Sequence, residues 1–320
     1  MSDVAAEIVF DHVTKRYPGR AAPAVDDLTF TVPAGEICVL VGPSGGGKTT
    51  AMRMVNRLID ITEGDIRIGD RSVRERDVTE LRRGIGYVIQ QTGLFPHMTV
   101  AENVATVPRL LGWEKPRIDA RVDELLDLVD LPAKDYRSRY AAQLSGGERQ
   151  RVGLARALAA DPPVMLMDEP FGALDPITRT RLQYEFLRIH GQVRKTVIFV
   201  THDIDEAILM GDRIAILRPG GQLAQYDTPE TILAAPADEF VADFVGADRG
   251  LKRLSLTRLD ELDLEPLDGA EGPALDGSTT LRDALSAMLS EGSRVVVVLD
   301  GDGDPRGALS LDALSERLVR

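Results

Sequence analysis

Short apolar runs alternate with glycine-rich or polar turns over most of this chain. The runs at 37–41, 164–167 and 196–200 are apolar almost throughout, which is typical of parallel strands that are buried on both faces. Between 99 and 160 the apolar positions instead follow helical spacing, as at Val122, Leu125, Leu126 and Val129. From 161 to 217 strand and helix patterns alternate again. This order predicts an α/β fold with a parallel sheet, strand-like runs at 7–41 before it and a mainly helical insertion.

A glycine-rich loop follows the first buried run directly, and a helical pattern begins at about Lys48. Glycines let a backbone wrap around an anion, and the N–H groups at the start of a helix then point at it. Lys48 can reach the β- and γ-phosphates of a nucleotide, and the Thr49 hydroxyl can bind Mg²⁺. The loop therefore predicts a phosphate site, although an ordinary glycine-rich turn would also fit the letters. The candidate binding residues are Gly42, Pro43, Ser44, Gly45, Gly46, Gly47, Lys48, Thr49 and Thr50.

Two adjacent carboxylates, Asp168 and Glu169, end the second buried run. Ligands bind at the carboxyl edge of a parallel sheet, and paired acids there are costly unless they hold a cation or transfer a proton. Asp168 is expected to hold Mg²⁺, and Glu169 to orient and deprotonate the attacking water. The alternative is a strand that ends in a solvated acidic turn.

The segment Leu-Ser-Gly-Gly-Glu at 144–148 precedes another helical pattern. Ser145 and Glu148 have the spacing of a capping box, which explains a helix start by itself. It does not explain Gly146 and Gly147, because each glycine in a helix costs about 1 kcal/mol relative to alanine. Two glycines are expected where another group, such as a phosphate, must approach the backbone closely.

With these three motifs in this order, the chain resembles the ATP-binding cassette (ABC) ATPases from about residue 4 to residue 246. The resemblance implies a P-loop NTPase fold, with a RecA-like core, an antiparallel β subdomain and a helical signature subdomain. It implies ATP and Mg²⁺ as ligands. It also implies a homodimer, or a heterodimer with a close paralogue, in which Ser145, Gly146, Gly147 and Glu148 of one chain face the ATP of the other.

Further residues take their roles only from this resemblance. Tyr17 matches the aromatic residue that stacks on adenine, Gln90 the glutamine that touches Mg²⁺ and the attacking water, and Asp175 the loop that crosses the dimer interface. His202 matches the histidine that contacts the γ-phosphate, whereas a lone histidine after a strand is otherwise an ordinary surface or core residue. Gly46 departs from the serine found in many relatives.

Composition argues against some classes of function. The net charge of −13 argues against a nucleic-acid-binding protein with a broad basic surface. The N-terminal residues show no secretory signal pattern, and no apolar run approaches 18 residues. Any membrane role is therefore expected to come through a partner.

The pattern changes after residue 246. We expect a linker at 247–277, and at 278–320 a helix, strand, turn, strand and helix in succession. This order resembles one CBS motif, a regulatory α/β module that normally works in pairs. The alternative is a small cap that only stabilises a dimer. Pairing in trans would need two chains.

A cassette with this tail resembles the ATPases of importers for quaternary-amine osmoprotectants such as glycine betaine, carnitine and choline. The resemblance implies integral-membrane permease subunits as partners, an extracytoplasmic solute-binding protein as an indirect partner, and a peripheral location at the cytoplasmic face of the membrane. In such importers Leu94, Phe95 and Met98 would form an apolar socket for the permease. Alternatives are an importer ATPase for polyamines, sulfate or an amino acid, a soluble ABC ATPase of translation or DNA repair, and a non-catalytic scaffold.

Overall fold

The computed structural model describes residues 5–89, 93–267 and 269–319, without the side chains of 316–319. It divides into two compact units, residues 1–227 and 228–320. The strands of the first unit are β1 Ile8–Lys15, β2 Val25–Val32, β3 Ile37–Val41, β4 Glu63–Ile68, β5 Arg71–Ser72, β6 Ile85–Val88, β7 Val164–Asp168, β8 Thr196–Val200, β9 Arg213–Leu217 and β10 Leu223–Asp227. Its helices are α1 Lys48–Val55, α2 Val78–Arg83, α3 Val100–Val104, α4 Thr106–Leu110, α5 Lys115–Leu128, α6 Ala133–Tyr136, α7 Gly146–Leu158, α8 Pro176–Val193 and α9 Ile204–Met210.

The main sheet of the first unit has the strand order β10-β9-β3-β8-β7-β6. Neighbours from β9 to β6 run parallel, and β10 is antiparallel to β9. Strands β3, β7 and β8 are buried at every residue, as continuous apolar runs predict. Because β8 lies between β3 and β7, the segments that follow these three strands meet at one edge of the sheet.

A second, antiparallel sheet has the order β2-β1-β4-β5. Its β1–β2 pair contains Phe10 and Phe30, whose rings stack at 4.5 Å between centroids. One apolar cluster includes residues of both sheets and α1, among them Phe10, Leu28, Leu40 and Met52. The α/β core, the antiparallel sheet and the helical segment between β6 and β7 therefore agree with the expected cassette fold. No helix in the described part of the chain is long and apolar enough to span a membrane.

The second unit begins well before the predicted boundary at residue 246. It contains α10 Pro229–Ala234, α11 Glu239–Val245, α12 Arg249–Arg253, β11 Ala274–Asp276, α13 Leu281–Glu291, β12 Val295–Leu299, β13 Pro305–Ser310 and α14 Leu311–Val319. The helix–strand–strand–helix order expected at 278–320 is present. The segment 247–277, expected as a linker, instead contributes α12 and β11 to the unit.

The second unit has its own apolar core. Strands β11 and β12 pair in parallel, and β12 and β13 pair antiparallel. Val296 and Val298 of β12 pack with Ala284 and Met288 of α13, and all four are fully buried. Leu254 and Leu259, from the expected linker, belong to the same cluster. Burial of these two leucines shows that part of the expected linker packs into the core of the second unit.

Candidate nucleotide site

The loop after β3 has a backbone that only glycine adopts without strain at several positions. Gly42, Gly45 and Gly47 have φ angles of 149°, 82° and 77°. A Cβ atom on Gly42 would lie 2.2 Å from the Leu217 carbonyl oxygen, and one on Gly47 would lie 2.2 Å from the Ala24 carbonyl oxygen. The loop is therefore packed against two other segments of the first unit, and its shape is fixed before any ligand binds.

Lys48 begins α1 and folds back over this loop. Its Nζ atom donates hydrogen bonds to the carbonyl oxygens of Gly42, at 2.7 Å, and Pro43, at 3.0 Å. The side chain is buried, and burial lowers the pKa of Lys48 while the negative charge of Glu169 opposes that shift. An ammonium that sits among neutral carbonyls at a helix start can exchange these contacts for phosphate oxygens.

Thr49 and Asp168 meet as the sequence predicted. The Thr49 hydroxyl donates to Oδ1 of Asp168 over 3.1 Å. Asp168 is the last residue of β7 and is 7% exposed. A hydroxyl and a carboxylate are the oxygen donors that Mg²⁺ takes together with substrate phosphates, so these two residues fit a Mg²⁺ site.

Glu169 holds an unusual backbone conformation directly after β7. Its φ is 44°, in the left-handed region, where a residue other than glycine is strained by about 1–2 kcal/mol. Its N–H donates to the Val200 carbonyl oxygen of β8 at 3.0 Å. This contact fixes the carboxylate at the sheet edge, beside the segment that follows β8.

His202 lies in that neighbouring segment. Its Nδ1 atom is 3.4 Å from Oε2 of Glu169, and its side chain is 66% exposed. Glu169, His202, Gly172 and Arg179 line one small cavity. The predicted base and the predicted histidine are therefore brought together beside a space that a small polar group can enter.

A buried polar pair at this cavity was not anticipated from the sequence. Gln183 of α8 donates to Oε1 of Glu206 in α9 over 2.8 Å, and both side chains are buried. Burial raises the pKa of Glu206, although hydrogen bonds from Thr201 and Gln183 oppose the shift. Glu206 follows the helix cap Asp203 by three residues. That spacing marks a helix start, and only the structure shows that Glu206 points inward.

The signature segment starts α7 with a complete capping box. The Ser145 N–H donates to Oε2 of Glu148 at 2.7 Å, and the Glu148 N–H donates to the Ser145 hydroxyl at 3.3 Å. Yet a Cβ atom on Gly146 or Gly147 would meet its neighbours only at ordinary distances of 3.7 and 3.5 Å. The packing of this chain, as far as it is described, therefore does not require either glycine.

Asp175 and Tyr17 have simple local roles in the structure. Asp175 caps α8 by accepting from the Thr178 N–H at 3.0 Å, and this hydrogen bond lowers the pKa of Asp175. Tyr17 lies in the loop between β1 and β2, with Lys15 Nζ 5.1 Å from its ring centroid. That loop ends at Ala24, which contacts Gly47 of the phosphate loop. Gln90 lies outside the described residues.

A groove near the amino end of β6 lies away from this edge. It has a volume of about 260 Å³. Its lining includes Arg82, Arg83, Tyr87, Phe95, Thr106 and Arg156, and we call it the arginine groove. Of the three residues expected to form a permease socket, Phe95 lines it and is 41% exposed.

Comparison with known proteins gives the same family at each level. The family model described as ABC transporter matches residues 25–172. The chain is 49% identical over 94% of its length to an osmoprotectant import ATP-binding protein of Salmonella typhimurium, OsmV, and covers 78% of it. It is 46% identical to a glycine betaine uptake ATP-binding protein of Escherichia coli, YehX, with 96% of this chain and 98% of that protein covered. A carnitine transport ATP-binding protein of Listeria monocytogenes, OpuCA, is 45% identical over 95% of the chain, which covers 75% of that protein.

Solved structures agree with this result. The dimeric bacterial ABC transporter cassette MJ0796 is 33% identical, with a TM-score of 0.60 over 69% of this chain and 98% of that one. The same cassette, in a dimeric post-hydrolysis state bound to ADP and Pi, gives a TM-score of 0.60 at 32% identity and the same coverage of both chains.

Proposed function

Because this chain belongs to the ABC transporter ATPase family, we propose that it is the ATP-hydrolysing subunit of an importer for quaternary-amine osmoprotectants. One observation carries the solute class. The relatives named for osmoprotectant, glycine betaine and carnitine transport align with 94–96% of the chain, and so with both of its units. A diacetylchitobiose uptake ATP-binding protein of Streptomyces coelicolor also aligns with 92% of the chain, but at 39% identity, compared with 45–49% for these relatives. A sulfate/thiosulfate import ATP-binding protein of Nocardia farcinica, at 44% identity, aligns with 75%. High identity together with alignment to both units therefore favours the osmoprotectant class.

The site residues divide the chemistry among them. The loop N–H groups and Lys48 bind the phosphates, and Thr49 with Asp168 would hold Mg²⁺. Bound Mg²⁺ neutralises charge that develops on the phosphates. Glu169 accepts a proton from the attacking water, and His202, 3.4 Å away, orients that carboxylate and reaches toward the transferred phosphoryl group. Gln90 is proposed to contact the metal and the water.

We propose that two chains complete each site. Gly146 and Gly147 are uncrowded within their own chain, so a second molecule can approach the start of α7 closely. A phosphate of the nucleotide held by that second chain would meet the N–H groups at the start of α7. The dimeric cassettes of similar structure support this arrangement. Tyr17 would stack on adenine, and Asp175 would face the partner chain.

The arginine groove is the proposed contact with the permease. Three arginines and an exposed Phe95 suit an apolar segment that carries acidic residues. The extracytoplasmic solute-binding protein would act through that permease, and the chain would lie peripherally at the cytoplasmic face of the membrane. The second unit would serve regulation as half of a CBS-like pair, completed by a second chain.

Reconstitution tests the solute class. The chain would be assembled in liposomes with the permease encoded beside it and the matching binding protein. We expect glycine betaine, carnitine or choline to stimulate ATP hydrolysis and to be taken up, while sulfate and spermidine have no effect. Hydrolysis with sulfate- or spermidine-dependent uptake would overturn the solute class, and absence of ATP hydrolysis in every assembly would overturn the enzymatic assignment.

A further inference from the structure

Arg53 contacts a carboxylate that the expected chemistry reserves for a metal ion. It lies on α1, and its Nη2 atom is 3.2 Å from Oδ2 of Asp168. The Asp168 side chain is only 10% exposed, whereas that of Arg53 is 44% exposed. A nearly buried carboxylate is thus paired with a cation whose other side is open to solvent. The sequence analysis gave Arg53 no role.

The two oxygens of Asp168 have different partners. Oδ1 accepts the hydroxyl of Thr49 at 3.1 Å, and Oδ2 accepts the guanidinium of Arg53. A divalent cation that binds beside Thr49 would therefore share one carboxylate with Arg53. Repulsion between a guanidinium and a divalent ion on the same carboxylate stays considerable at the effective dielectric constant of a protein site. Arg53 thus balances the charge of Asp168 in the absence of metal, and it opposes metal binding.

Tyr87 links Arg53 to the arginine groove. Its side chain packs against the apolar cluster that contains Met52 and Met54, the neighbours of Arg53 on α1, and it also lines the groove. Burial raises the pKa of Tyr87, and the nearby Arg53 guanidinium opposes that shift. Tyr87 therefore lies between the groove, where a partner would dock, and the helix that carries Arg53. A partner group that displaces the Tyr87 side chain would change how closely Arg53 is held against Asp168.

We propose that Arg53 is a positioning residue that competes with Mg²⁺ for Asp168, and that Tyr87 makes this competition sensitive to occupancy of the arginine groove. Filling the groove then raises the affinity of the nucleotide site for Mg²⁺. The docking step rests on the proposed permease partner, whereas the competition at Asp168 rests only on residues of this chain.

The test measures how strongly metal and nucleotide bind together in the full chain. The dissociation constant of a fluorescent ADP analogue is measured in EDTA and in saturating Mg²⁺. The value in EDTA divided by the value in Mg²⁺ reports how much the metal strengthens nucleotide binding. Variants are Arg53→Gln, which removes the charge, Arg53→Lys, which keeps it, and Tyr87→Phe, which removes only the hydroxyl. Arg67→Gln, at an exposed arginine of β4, controls for the loss of one positive charge.

Arg53→Gln is expected to raise the ratio about threefold or more, because the repulsion of Mg²⁺ is gone. Tyr87→Phe should raise it less, in the same direction, while Arg53→Lys and Arg67→Gln stay within about twofold of the wild type. An unchanged or lower ratio for Arg53→Gln overturns the competition, and an unchanged ratio for Tyr87→Phe overturns the link to the groove. If the wild-type chain binds no nucleotide, the proposed function itself fails, so the two failures are distinguishable.

Discussion

Nδ1 of His202 lies 3.4 Å from Oε2 of Glu169, so residues that follow two neighbouring strands, β8 and β7, form one pair. Glu169 reaches this position with a left-handed backbone, at a φ of 44°. Strain of this kind persists only where the surrounding structure fixes it, and it is frequent at active sites. The pair therefore supports the proposed placement of the chemistry at one point of the sheet edge.

Replacement of the base tests this location directly. Glu169→Gln keeps the size of the side chain but removes its ability to accept a proton. We expect ATP to bind and turnover to fall by about 10² or more, in line with general-base contributions. Size-exclusion chromatography with ATP should show an accumulated dimer. Glu75→Gln, at an exposed residue near β5, serves as the control, and near-normal hydrolysis by Glu169→Gln would remove Glu169 from its proposed role.

Composite sites can be tested by mixing two inactive variants. Lys48→Ala damages the phosphate loop, and Gly147→Asp places a bulky negative group at the start of α7. A mixed dimer then contains one site with both lesions and one intact site. Hydrolysis should exceed that of either variant alone. Gly191→Asp, at a helical glycine with nothing within 4 Å of its Cβ position, is the matched control for the glycine substitution. A mixture that stays inactive, although mixed dimers are detected, would argue against shared sites.

The fixed shape of the phosphate loop predicts a difference between two similar glycines. Gly45 and Gly47 have φ angles of 82° and 77°, so alanine is strained to a similar extent at both. Only at Gly47 does the new methyl group clash, 2.2 Å from the Ala24 carbonyl oxygen. Gly47→Ala should lower the free energy of unfolding by about 2 kcal/mol more than Gly45→Ala. Urea denaturation measures both, and equal values would contradict the packing described for Gly47.

Glu206 predicts a dependence of stability on pH. Burial raises its pKa above the ordinary value of 4.5, so the folded chain holds the proton at pH values where the unfolded chain has released it. The contribution of protonated Glu206 to the free energy of unfolding is complete below about pH 4.5, and it is lost as the pH rises through the folded-state pKa of this group. Glu206→Gln mimics the protonated acid.

The melting temperature of Glu206→Gln, relative to that of the wild type, should therefore increase from about pH 4.5 upward and then level off. Differential scanning fluorimetry across this range gives the comparison. Asp205→Asn, at the exposed neighbouring position, is the control. A difference that does not change with pH would show that Glu206 titrates normally in the folded protein.

Removal of the second unit's apolar core tests whether this part of the chain regulates transport. The buried cluster begins at Leu254, so a chain that ends at Arg253 lacks all of it. If this part senses ionic strength, ATP hydrolysis remains while the salt dependence of transport becomes flat, because surface charge interactions are screened over about 8 Å at physiological salt. If it is a dimer cap, truncation weakens dimerisation at every salt concentration. Transport by the reconstituted complex over a salt series, together with sedimentation of the dimer, distinguishes the sensor from the dimer cap. An unchanged salt response of the truncated chain excludes sensing by the removed part.

The sequence by itself determined the elements whose cause is local. Continuous apolar runs predicted β3, β7 and β8, the loop glycines predicted the tight turn between β3 and α1, and Ser145 with Glu148 predicted the start of α7. The elements from α13 to α14 also followed from spacing alone. These features depend on backbone conformation and side-chain period, which neighbouring residues set.

The tertiary structure alone decided which side chains meet. Strand order places β8 between β3 and β7, and from this order follow the contacts of Thr49 and Arg53 with Asp168 and of His202 with Glu169. Periodicity carries no record of strand order, so nothing in the sequence marked Arg53 or Glu206 for a role. The burial of Leu254 and Leu259 in the expected linker was not anticipated for the same reason. They are core residues because β12 and α13, which come later in the sequence, pack around them.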